Sequence, residues 1–130
     1  MASYLLDTCV ALWYFEGHLR LSPELRDVLT DPVNELFLSD VSILEIVIKH
    51  RLGKLPLPKP PSRIIRPLAR KHLMDILPLS TAAIFRLESL PDLHRDPFDR
   101  LLIGQALECG FPLVTSDPMI RQYDVPTFWV

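Results

Sequence analysis

The chain is poor in glycine and cysteine, and it has no long apolar run. Four glycines, none of them in a glycine-rich turn after a strand, leave nothing to cradle a pyrophosphate. A dinucleotide-binding fold is therefore excluded. Two cysteines, Cys9 and Cys109, are too few for a zinc cluster or a disulfide framework. They are expected to be packed thiols in a cytoplasmic protein. No stretch approaches the roughly 20 apolar residues that a membrane span needs. The opening "MASYLLD" lacks a basic region and meets an acid after two leucines, so a signal peptide is not expected.

Acid is missing from one whole segment. Between Ile46 and Met74 there is no Asp or Glu, yet eight of the fourteen Lys and Arg residues fall there. The rest of the chain carries six basic residues against all sixteen acids. A net charge of −2 argues against a protein that coats nucleic acid wholesale, but its distribution makes one sector basic and the remainder acidic. Within the basic sector, Arg63, Arg66 and Arg70 recur at i, i+3 and i+7 on one helix face. They are candidates for contact with an RNA backbone, or form a solvated face.

What is present reads as one globular domain over residues 1–130, with 48% hydrophobic and 23% charged residues. Short apolar runs alternate with helical patterns, which predicts an α/β fold with a mainly parallel sheet. "SYLL" (3–6) reads as the first strand, followed by a helix through "CVALWYF". Ser22 caps a second helix with Pro23 at its first position. "ELFLS" (35–39) is the second strand, after which Ser42 and Glu45 have the spacing of a capping box. Four prolines within residues 56–61 make a stiff loop, and Ser62 opens the next helix. "MDILPL" holds the third strand and Ser80 caps "TAAIFRLESL". A helix from Pro97 stops at Gly110, "PLVTS" (112–116) is the fourth strand, and "PTFWV" is the last.

Four acids stand out on this map. Asp7 follows strand one, Asp117 follows strand four, Glu45 sits in the first turns after strand two, and Asp99 opens the helix that feeds strand four. Ligands of open parallel sheets bind beyond the carboxyl ends of the strands. Each acid singly has an ordinary reading as a helix cap or first-turn residue. Together they converge on one sheet edge, where bare carboxylates repel and raise a pKa. A hard divalent cation, Mg²⁺ or Mn²⁺, resolves that repulsion and can activate water at a phosphoryl group. Receiver and haloacid-dehalogenase folds share the length, but the first wants paired early acids and a late Lys. The second wants an acid at position 9, where this chain has Cys.

The stretches "LLDTCV", "HRDPFDRLLIGQA" and "LVTSD", with a Glu after strand two, resemble PIN-domain ribonucleases in order and spacing. The likeness is to the VapC-like toxins of toxin–antitoxin pairs and spans Tyr4 to Trp129. It implies a three-layer α/β/α sandwich and hydrolysis of RNA phosphodiesters to a 5′-phosphate and a 3′-hydroxyl. It also implies Asp7 and Asp99 as direct metal ligands, with Glu45 and Asp117 acting through water. Thr115 matches the family's hydroxyl position, and Asp96 is an outer-sphere candidate. Arg95 and Arg100 are expected at the rim, where they can meet phosphates. No histidine is expected at these strand ends. A homodimer and a VapB-like antitoxin that blocks the acidic site are the implied partners. The apolar runs "ALWYF" and "ILEIVI" offer surface for them. A non-cleaving PIN-fold binding module is the alternative.

Overall fold

The computed structural model describes all 130 residues, Met1–Val130. Five strands form one sheet: β1 (Ser3–Leu6), β2 (Glu35–Ser39), β3 (Met74–Leu77), β4 (Leu113–Val114) and β5 (Thr127–Phe128). Six helices connect them: α1 (Thr8–Glu16), α2 (Pro23–Thr30), α3 (Asp40–Arg51), α4 (Pro61–Lys71), α5 (Thr81–Phe85) and α6 (Pro97–Cys109). The strand order is β3-β2-β1-β4-β5, and every pairing is parallel. The chain thus runs outward from β1 to β3 and then returns to the other side of β1. That reversal lies between β1 and β4, where open α/β sheets leave a crevice.

The two faces follow from strand periodicity. Leu6, Leu36, Leu38, Met74 and Val114 pack with α1, α2 and α4 in one core cluster. Leu5 and Leu113 point the other way, joined by Leu102, Ile103 and Ala106 of α6. The result is the expected three-layer sandwich. Leu5, Leu6, Leu38, Leu102, Ile103 and Leu113 are fully buried, each contributing about 1.5–3 kcal/mol of transfer free energy. In register, Leu6 pairs with Leu38 on one side and Val114 on the other. The three strands therefore finish level, and the residues just beyond them share one edge.

Local chemistry sets the helix starts around that edge. Asp96 caps α6, its Oδ1 accepting from the Phe98 and Asp99 amides at 2.9 and 3.3 Å, with Pro97 in the first turn. The helix stops at Gly110, whose φ of 72° is left-handed. Midway along it, Gly104 permits close approach: a Cβ there would stand 2.6 Å from the Ala83 carbonyl oxygen.

Some expectations are corrected. Helix α3 begins at Asp40 with Ser39 as cap, its hydroxyl accepting from the Val41 amide at 2.9 Å. Ser42 and Glu45 therefore form no capping box and instead lie buried inside the helix. Residue Ser62 does not cap α4 either, since that helix starts at Pro61 without a side-chain cap. The helix after Ser80 is short and gives way to a 3-10 turn over Arg86–Ser89. Both late strands are two residues long, because only those residues find parallel partners in β1 and each other. Neither cysteine is a core thiol; both residues are exposed and unbridged, with the Cys9 sulfur partly shielded.

Candidate active site

Beyond the carboxyl ends of β1 and β4 lies a cleft of about 170 Å³ lined by Asp7, Glu45, Asp96, Asp99 and Asp117. Its one cation is Lys49; Thr8, Cys9, Trp13 and Ser116 complete the wall. The sheet reversal, the starts of α1 and α6, the interior of α3 and the turn after β4 bring together acids that are up to 110 residues apart in sequence.

Asp7 terminates β1 and caps α1, its Oδ1 accepting from the Val10 amide at 2.7 Å. It is only 6% exposed. Its carboxyl is pushed up to about 6, chiefly by burial, with the nearby Asp99 and Asp117 adding to the rise. Hydrogen bonds from the Thr115 hydroxyl and Val10 amide only partly offset that rise. Thr115 itself is fully buried and accepts from the Asp117 amide at 3.0 Å. This one hydroxyl thereby ties the end of β1 to the turn after β4. Asp117 uses its Oδ1 to accept from the Met119 amide at 2.9 Å.

Asp99 sits in the first turn of α6. Its Oδ2 lies 2.8 Å from His94 Nε2. Burial raises its carboxyl to about 6; His94 opposes the shift, while Asp96, Asp117 and Glu45 add to it. Glu45 is buried on α3 but fully engaged. The Thr8 hydroxyl reaches its Oε1 at 2.8 Å and in turn meets Ser42 at 2.9 Å. Oε2 pairs with Lys49, one helical turn on and half exposed. Lys49 has its pKa raised, chiefly by that hydrogen bond to Glu45.

Every buried side-chain polar atom of the protein has a hydrogen-bond partner. No buried polar atom of the cleft is orphaned, but its charge is not balanced. Five carboxyl groups face one ammonium, and two of them ionise only near neutrality. The donors are hard oxygens plus one imidazole, a set suited to a divalent cation such as Mg²⁺ or Mn²⁺. Ligand atoms of His94, Asp99 and Asp117 all lie within 4.8 Å of one another. A cysteine nucleophile is ruled out in the same cleft. Burial and the nearby Asp7 and Glu45 push the Cys9 thiol up to about 11, so it stays protonated.

The four sequence-predicted acids, with Asp96, line this one cleft. Thr115 lies against two of them. The arginines do not. Arg63, Arg66 and Arg70 are exposed on α4, and Arg66 and Arg70 flank a groove along the β3 edge with Met74 and Ile76. Arg100, expected at the rim, is turned inward. Its guanidinium donates to the Pro91 carbonyl at 2.8 Å and the Tyr123 hydroxyl at 3.0 Å. It clamps the loop ahead of α6. Three cleft residues escape the sequence reading: Thr8, Lys49 and His94. The i, i+4 spacing of Glu45 and Lys49 is an available signal. For His94, only the fold brings its ring to Asp99.

The PIN domain family model matches residues 4–126. Ribonuclease VapC22 of Mycobacterium tuberculosis is 29% identical over 133 residues, covering 99% of this chain and all of that protein. Among solved structures, VapBC2 from Rickettsia felis bound to a promoter DNA fragment superposes with a TM-score of 0.72 at 15% identity. That match covers 96% of each chain. The structure of FitAB bound to IR36 DNA gives 0.66 at 16% identity, covering 96% of this chain and 93% of the other. At these identities the solved structures speak to the fold alone.

Proposed function

The chain belongs to the PIN domain family, and on that footing we propose that it is a metal-dependent endoribonuclease acting as the toxin of a toxin–antitoxin pair. The observation that carries this is the convergence of Asp7, Glu45, Asp96, Asp99 and Asp117 on one cleft at the sheet reversal. Its likeness to Ribonuclease VapC22 along the full length of both chains supports the choice of RNA as substrate and of a toxin role.

In this reading Asp7 and Asp99 hold Mg²⁺ or Mn²⁺, with Asp117 close enough to Asp99 to share it. When bound, the ion supplies an activated water and stabilises charge developing on the phosphoryl oxygens. The chain's own residues do the positioning. Thr115 steers Asp7 and fixes the turn bearing Asp117. Thr8 holds one Glu45 oxygen while Lys49 neutralises the other, so that the carboxylate can orient an attacking water once Lys49 swings to a phosphate. Asp96 fixes the start of α6 and thereby the height of Asp99. Arg63, Arg66 and Arg70 can meet only RNA that extends past the cleft towards the β3 edge.

Apolar surface supports the partners. Leu12, Trp13, Phe15, Leu57, Ile64 and Leu68 line a groove of about 500 Å³ that meets the acidic cleft at Cys9 and Trp13. It suits a VapB-like antitoxin segment running on into the cleft. Leu44, Val47, Ile48 and Leu52 leave one side of α3 exposed, as a homodimer contact would use. No helix is long and apolar enough to cross a membrane, and we place the protein in the cytoplasm. The test is cleavage of purified RNA with sequencing of the ends. Activity should vanish with EDTA, return with Mg²⁺ or Mn²⁺, and be absent in folded Asp7→Asn and Asp99→Asn. Cleavage retained in both variants refutes the metal reading, and RNA binding without cleavage favours a non-cleaving module.

A further inference from the structure

His94 lies in the irregular stretch between the 3-10 turn and α6, outside every strand end that an α/β site draws on. Yet the backbone that carries it is clamped at several points. Arg100 grips the Pro91 carbonyl at 2.8 Å and the Tyr123 hydroxyl at 3.0 Å. Tyr123 in turn donates to the His94 carbonyl oxygen at 3.4 Å, and Asp96 anchors the far end as the α6 cap. Such clamping sets an imidazole, 19% exposed, beside Asp99. From its position, Nε2 can serve either as a donor to Asp99 or as a ligand.

We propose that His94 is a nitrogen ligand of the divalent ion and biases this site towards Mn²⁺ over Mg²⁺. Two neighbouring ligands on an octahedral ion, each about 2.1 Å from it, stand about 3.0 Å apart. His94 Nε2 and Asp99 Oδ2 are 2.8 Å apart, close to that spacing, so an ion beside them would meet both once the imidazole turns its Nε2 from Asp99 towards it. Asp117 completes the trio, with all three ligand atoms within 4.8 Å of one another. Imidazole suits Mn²⁺ better than Mg²⁺, which prefers oxygen and keeps its waters. A purely carboxylate site has no such preference built in.

The inference rests on the metal reading above, and the test separates the two. Mn²⁺ alone is added to the full-length protein and its electron spin echo is recorded, alongside calorimetric titration with Mn²⁺ and Mg²⁺. The wild type shows ¹⁴N modulation from a coordinated imidazole. In His94→Gln the side-chain amide still donates to Asp99, but the modulation disappears. There Mn²⁺ affinity falls by about tenfold or more, while Mg²⁺ affinity changes less than about threefold. His94→Ala gives the same split if it folds, and circular dichroism of both variants checks that. Mn²⁺ bound in an Asp99-dependent way without ¹⁴N modulation overturns the role of His94 and leaves the metal reading standing. Equal loss of both ions in His94→Gln also overturns it. A wild-type protein that binds neither ion overturns both.

Discussion

Asp7→Asn should make the metal-free protein more stable, and only at high pH. The Asp7 carboxyl moves from 3.8 in the unfolded chain to about 6 in the fold, mainly through burial. The folded state thus binds this proton more tightly, and stability is lost as pH rises from the unfolded value through the folded one. At 1.36 kcal/mol for each pH unit of displacement, ionised Asp7 costs the fold about 3 kcal/mol at pH 8 but less than about 1 at pH 4. Asparagine carries no charge, and its amide oxygen can still accept from the Val10 amide. The cap therefore survives the substitution. For a domain of this size the gain corresponds to about 11 °C in Tm at pH 8 and about 2 °C or less at pH 4. Thermal melts in EDTA at the two pH values measure it. A divalent ion should raise Tm in the wild type and much less in the variant, since binding to the native state alone stabilises by mass action. A variant that melts lower than the wild type at pH 8, or shifts equally at both pH values, would show that Asp7 is held as an ordinary structural carboxylate.

Lys49→Met should raise divalent-ion affinity while lowering the stability of the ion-free protein, because it removes the one cation of an acidic cleft and leaves the buried Glu45 carboxylate unpaired. Unchanged ion binding by calorimetry would show that Lys49 is merely a surface partner. Gly104→Ala should cost about 1–3 kcal/mol, because its Cβ would meet the Ala83 carbonyl oxygen at 2.6 Å and force α5 away from α6. Chemical denaturation reads that cost, and an unchanged midpoint would mean the two helices separate freely. Changing Arg63, Arg66 and Arg70 together to Gln should lower the salt slope of RNA binding by about 0.7 for each phosphate no longer neutralised, with ion affinity untouched. Fluorescence titrations at several salt concentrations test it, and an unchanged slope assigns that face to solvent or to a protein partner.

Much of the frame is legible because it is written locally. β1 and β2 read correctly from short apolar runs, and the caps expected at Ser22 and Ser80 stand at their helix starts. The placement of Asp7 and Asp117 after strands then follows from topology. The start of α3 is misjudged because Ser39 and Ser42 are both competent caps by local rules. What decides between them is Ser42 sinking against Thr8, a neighbour 34 residues away in the chain. The inward turn of Arg100 and the reach of His94 depend likewise on Tyr123, from a different part of the fold. Loop side chains have no periodicity that announces where they point.

In the sequence, each acid poses a choice between a helix cap and a site residue. In the fold that choice dissolves for Asp7, which caps α1 and faces the cleft with one carboxyl group. A carboxylate has two oxygens and about four acceptor positions, and a cap occupies one or two of them. The amide at Val10 takes Oδ1 of Asp7, as the amide at Met119 takes Oδ1 of Asp117. Each cap fixes the rotamer at no loss of charge, so the remaining acceptor capacity is delivered to the cleft already oriented. Glu45 is built differently, on a helix interior with no backbone amide to hold it. Side chains hold it instead, Thr8 on one oxygen and Lys49 on the other. Backbone-held Asp7 and Asp117 are thereby rigid, whereas Glu45 exchanges partners by moving one flexible lysine. That difference is what a site needs if some of its carboxylates must stay with an ion while another changes its partner during a reaction.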